Sequence, residues 1–131
     1  MMRTVLVSLS LLCTGLSPKP AAPELNVKTT MVKDISPAFT EVSFQLFHAD
    51  PTKEKMMEVT DRLDEVILKF SRTTKVDGHA DFRVSTMMLR SSVEGLKLAV
   101  VNNAPRSELE HWFAHVGAAC NTCHSEMRDG R

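Results

Sequence analysis

Two thiols and an imidazole stand together near the end of the 131-residue chain, in the run Cys120-Asn121-Thr122-Cys123-His124. Cysteines three positions apart permit several chemistries: a disulfide, a redox dithiol or two ligands to zinc. The histidine directly after the second cysteine turns the pair into C-x-x-C-H, the attachment sequence for covalent c-type haem. In that chemistry the two thiols add to the two vinyl groups of the porphyrin and become thioethers. The adjacent imidazole then meets the iron from one face. Cys120 and Cys123 are therefore the expected attachment points of one haem c, and His124 the expected proximal iron ligand. A thioredoxin-like dithiol needs a βαβ context, and no strand is read in this sequence. Zinc would need further ligands, which His111 and His115 could supply only from the same side of their helix.

The wheel puts them elsewhere. With Leu109 at zero and 100° per residue, Cys120 falls at about 20°, Cys123 at about −40° and His124 at about 60°. That arc faces the core. His111 and His115 fall at about 200° and 240°, and are expected to be solvated surface histidines. Gly117, Ala118 and Ala119 precede the motif, and small side chains there would let a porphyrin approach the helix closely.

The compartment fits this chemistry. Met1-Met2-Arg3 is a short positive region, and Val5 to Leu12 is an apolar run too brief to span a bilayer. Ser17-Pro18-Lys19-Pro20-Ala21-Ala22-Pro23 reads as a junction and linker. Residues 1–22 are thus expected to be a signal peptide and linker, and residues 23–131 the domain, exported to a periplasm. Cys13 and Gly15 suit a cut after Gly15. Cys13 is an ordinary cysteine of the apolar run rather than a lipid anchor, because bulky Leu12 precedes it and Ser10 stands at −3. Lys plus Arg and Asp plus Glu both total 16, so neither nucleic acid nor an anionic membrane is an expected partner. No stable membrane insertion is expected once the signal is removed.

Four helices must position the motif. The sequence has an apolar share of 43%, no tyrosine, 5 glycines and 8 methionines, a mix that favours helices. The first helix is expected from about Leu25 to His48, with Pro37 either kinking it or restarting it on Ser36 as N-cap. Asp50-Pro51 reads as an N-cap and first position for a second helix reaching about Arg72, with Glu54 in its first turn. After the turn at Val76-Asp77-Gly78-His79, a third runs from about Ala80 to Asn102. Asn102-Asn103-Ala104-Pro105 breaks it, and Pro105 opens a fourth that reaches about Arg128. The apolar stripes follow the helical period. They are Val32, Ile35, Phe39, Val42 and Leu46 on the first; Met56, Val59, Leu63, Val66, Ile67 and Phe70 on the second; Phe82, Leu89, Val93, Leu96 and Val100 on the third; and Leu109, Trp112, Phe113, Val116, Cys120, Cys123 and Met127 on the fourth. Short links between helices of this length imply an all-α, up-down-up-down four-helix bundle.

That topology would bring the end of the fourth helix beside the start of the first. The expected neighbours of the haem are then Met31, Val32, Ile35, Phe70 and Phe82, and Met31 is the candidate for the sixth position on the iron. His79 is its rival. Met56 reads as core, and Met57, Met87 and Met88 as partly off the stripes. Arg72 and Arg83 flank the haem layer and could neutralise propionates.

A four-helix bundle with C-x-x-C-H near the end of its last helix resembles the cytochrome c prime family and its low-spin, methionine-ligated relatives. The resemblance extends from about Val27 to Arg128. Met31, Val32, Pro37 and Phe44 are spaced as in family members. Family members often follow the motif with two residues, an aromatic, then Arg or Lys; this chain has Ser125-Glu126-Met127-Arg128, so Arg128 matches and Met127 replaces the aromatic. The resemblance implies either a five-coordinate iron that binds nitric oxide or carbon monoxide, or a methionine ligand and electron transfer with a redox partner protein. It also implies a homodimer through helices one and two, with Phe44 on the outer face. Electron transfer is the expected function, gas binding the alternative, and a zinc or dithiol structural bundle a remoter one. No acid–base set converges on the expected distal face, so an enzyme is not expected.

Overall fold

The computed structural model describes residues 27–73 and 82–129, and all of its regular elements are helical. The signal and linker expected over residues 1–22, and His79, lie outside the described residues. The elements are α1 (Val27–Thr30), a π-helical turn (Met31–Ile35), α2 (Ser36–His48), α3 (Lys53–Thr73), α4 (Phe82–Val101) and α5 (Arg106–Asp129). The first three follow one another without a break, so the described residues form four helical rods, compatible with a helical bundle. No strand occurs among the described residues.

The π turn sits where Pro37 enters the helix. A proline ring collides with the carbonyl four residues back, here that of Lys33, and brings no N–H of its own. Widening the turn relieves the collision, and the Ser36 amide donates to the Met31 carbonyl, five residues back. Ser36 is therefore helical, with φ −60° and ψ −45°, and the restart with Ser36 as N-cap does not occur. The wide turn also shifts the phase of everything before it by about one residue. Thr30 is buried, Met31 half-buried and Val32 63% exposed. Val32 is thus not part of the buried stripe that a uniform 100° wheel gave it.

The remaining ends follow from local chemistry. At the start of α3 the cap is Thr52, two residues after the expected Asp50: its Oγ1 accepts from the Lys55 amide at 3.2 Å. Glu54 remains in the first turn. At the end of α4, Asn103 takes φ 54°, a left-handed conformation that asparagine tolerates. The Asn103 amide donates to Val100 and the Ala104 amide to Ala99, the paired bonds of a Schellman stop. The Pro105 carbonyl then accepts from Glu108 and Leu109 to open α5.

Packing joins α2 to α3, α3 to α4 and α4 to α5, which are neighbours in sequence, and also α2 to α5. Val42, Leu63, Ile67, Leu89, Val93, Leu96 and Val116 are fully buried at the centre. Each such side chain contributes about 1.5–3 kcal/mol relative to exposure. Phe39 stacks on Phe113, ring centroids 4.7 Å apart, tying α2 to α5. Across α3 and α4, Lys97 Nζ bridges Asp61 at 3.0 Å and Asp64 at 2.9 Å.

Candidate functional site

The π turn and the stretch of α5 from Gly117 to His124 face each other across a cavity of about 470 Å³. This lies within the range of about 300–1,000 Å³ of small-molecule and cofactor sites. From the first rod, Met31, Val32, Ile35, Ser36 and Phe39 line it; Leu89 comes from α4; and Gly117, Cys120, Asn121, Cys123 and His124 come from α5. The four residues singled out from sequence, Met31, Cys120, Cys123 and His124, thus share one cavity. Its walls are mostly apolar.

Each position follows from helix geometry. Cys120, Cys123 and His124 occupy adjacent turns of α5, with Cys123 buried, Cys120 half-buried and His124 exposed at the rim. His124 therefore lies further from the core than its two cysteines, although the wheel gave all three one inward arc. Gly117 is one turn before Cys120 on the same face, and a Cβ built there would meet no atom within 4 Å. It leaves the wall open to the cavity. Ala119 is buried in the core and Ala118 exposed, so of the three small residues before the motif only Gly117 lines the cavity.

A second apolar layer backs this wall. Ile35, Phe70 and Cys123 form one buried cluster, against which Met31 and Val66 pack. Phe70, expected to line the site, is fully buried behind it. The side chains of Phe82, Arg83 and Met127 lie outside the described residues, and Arg72 is exposed. Two lining residues, Phe39 and Leu89, were assigned by sequence to the general core. Phe39 was findable by continuing Met31–Ile35 one more turn. Leu89 lies two turns into α4, so the cavity reaches deeper into the bundle than its end layer.

The electrostatics of the cysteines are those of buried thiols. Burial pushes Cys120 up to about 11, with a smaller contribution from Cys123. Burial also raises Cys123, helped by the Glu126 carboxylate. Glu126 accepts a hydrogen bond from the buried Ser85 hydroxyl of α4. Dithiol exchange relies on an accessible cysteine with a lowered pKa, the opposite setting. Among the described residues, no three His, Cys, Asp or Glu side chains gather as a metal site. His111 and His115 are both exposed, as the wheel indicated, and neither lines the cavity.

The residues fit a covalently held planar group: two thiols three positions apart on one helix, a neighbouring imidazole, an apolar slot beside them and a thioether from another helix. Among the described residues, no helix is long and apolar enough to cross a membrane. No family model matches the chain, and neither a curated protein nor a solved structure matches it.

Proposed function

We propose that this chain is an exported mono-haem c-type cytochrome of the cytochrome c prime kind, acting in electron transfer in a periplasm. The observation behind the reading is the shared cavity of Met31, Cys120, Cys123 and His124. When bound there, haem supplies a one-electron iron couple. The chain's own residues do the rest. The thiols of Cys120 and Cys123 would hold the group as thioethers, each thiol adding across one vinyl double bond, sulfur to one carbon and the proton to the other, with nothing oxidised or reduced. His124 would offer the iron an imidazole lone pair, and Met31 a thioether sulfur. Soft thioether ligation alongside histidine favours the reduced iron and raises the potential. Ile35, Phe39 and Leu89 give the slot apolar walls. In this reading the rods run up-down-up-down, and the haem lies near the C-terminal end of α5.

A second reading follows from the packing of Met31. It is half-buried against Ile35 and Phe70, a contact that a methionine serving only as core filler would also make. Without a sulfur ligand, the apolar slot would admit carbon monoxide or nitric oxide to the iron. In either case Phe44 and Phe47, 51% and 44% exposed on α2, offer the apolar contact for a homodimer through the first two rods.

The test is expression with the cytochrome c maturation machinery, then denaturing electrophoresis with haem-peroxidase staining. A stained band at the mature mass is expected, and it should vanish when Cys120 and Cys123 are both changed to Ala. Haem that acid-acetone extracts, or a wild-type band that never stains, would defeat the reading.

A further inference from the structure

One polar pair on α5 plays no part in the cavity. His111 and His115 are one helical turn apart, where side chains share a face. Their Nε2 atoms approach to 3.1 Å, with ring centroids 4.6 Å apart and planes crossing at 81°. At that distance one ring nitrogen donates a proton to the lone pair of the other. Two lone-pair nitrogens so placed also match a metal chelate. Zinc–imidazole bonds are about 2.0–2.1 Å long, so two of them at a right angle hold their nitrogens about 2.9 Å apart, and at the tetrahedral angle about 3.4 Å. The observed 3.1 Å falls between these limits. A divalent ion held by both nitrogens would take the place of the shared proton, with the two rings turned toward it.

We propose that His111 and His115 form a surface chelate for a first-row divalent cation, with Cu(II) held more tightly than Ni(II) or Zn(II). Both rings are exposed, so an ion reaches them directly from solvent. Trp112 packs beside the pair, its centroid 6.2 Å from His111 and 5.7 Å from His115, and braces one side of the site. No third His, Cys, Asp or Glu among the described residues completes it, so water fills the other positions and the ion stays exchangeable. Imidazole nitrogens suit all three ions, and the order of affinity follows the general order for divalent first-row metals. The site is independent of the haem reading, because it shares no residue with the cavity.

The test uses untagged mature protein with any free thiol alkylated beforehand, so that Cys120 and Cys123 cannot take up the metal. Equilibrium dialysis against copper sulfate at neutral pH should give one Cu(II) per chain, and its paramagnetic resonance spectrum should show two nitrogen ligands. His111→Gln and His115→Gln should each weaken binding at least about tenfold, the loss expected when a chelate becomes a single contact. Circular dichroism of each variant verifies that the helices persist. Equal copper uptake by the double variant, or no uptake by the wild type at about 100 µM free copper, a concentration equivalent to about 5.5 kcal/mol of binding, overturns the proposal.

Discussion

Met31 and Cys123, from the first and last helical rods, pack on the same small cluster formed with Ile35 and Phe70. The contact places a thioether beside the C-x-x-C-H run, and it makes Met31 the side chain whose replacement separates the two proposed haem readings. With Met31 on the iron, oxidised protein should be low-spin and show a near-infrared sulfur-to-iron charge-transfer band. Met31→Ala should abolish that band, lower the potential and open the iron to carbon monoxide. A wild-type spectrum that is already high-spin, or a band unaffected by Met31→Ala, would assign Met31 to packing and favour the gas-binding reading.

The helical architecture was legible in the sequence because its signals are local and redundant. Ile67, Leu63 and Val93 lie on clean 3.6-residue stripes, and all are buried. The C-x-x-C-H run is visible in the sequence because its residues are contiguous, and the structure sets it on the same cavity as Met31. Two features escaped for physical reasons. Val32 was misplaced because a wheel assumes constant pitch, and Pro37 forces a wider turn just ahead of itself. Thr52 was overlooked because Asp50-Pro51 offers an equally good local cap, and only the path of the chain into α3 decides between them.

The seat of Trp112 yields a stability prediction. A Cβ built on Gly95 would collide with the indole ring of Trp112, so α4 and α5 approach closely because that position carries no side chain. Gly95→Ala gains about 1 kcal/mol of helix propensity. Overpacking against the ring should cost about 1–3 kcal/mol and outweigh that gain. Lower thermal stability, together with altered fluorescence of the sole tryptophan, is expected. A variant that melts higher with an unchanged emission maximum would show that the indole yields freely.

Lys97 links α3 to α4 through Asp61 and Asp64, and hydrogen bonds to both carboxylates raise its pKa above the ordinary 10.5. A raised value in the folded state means that the folded chain holds this proton more tightly than the unfolded chain. The stabilisation is therefore complete below about pH 10.5 and disappears as pH rises through the folded-state value. Partial exposure limits it to about 1 kcal/mol. Urea unfolding of wild type and Lys97→Met at neutral pH should differ by about that amount, and the gap should close at strongly alkaline pH. A gap that is constant with pH would assign the difference to packing of the lysine stem.

Pro37 tests whether the π turn serves the site, and this prediction rests on Met31 being an iron ligand. Pro37→Ala restores an amide that can donate to the Lys33 carbonyl and removes the ring that collides with it. Replacing proline inside a helix is worth up to about 3 kcal/mol in propensity, so the variant should melt at least as high as wild type. The regained α-helical register would turn Val32 inward and carry Met31 away from its place in the cavity. Covalent haem should be retained, since Cys120 and Cys123 are on another helix, while the sulfur-to-iron band weakens or disappears. A more stable protein with a damaged ligand spectrum is the expected pairing. An undiminished band in Pro37→Ala would show that Met31 reaches its position without the wide turn.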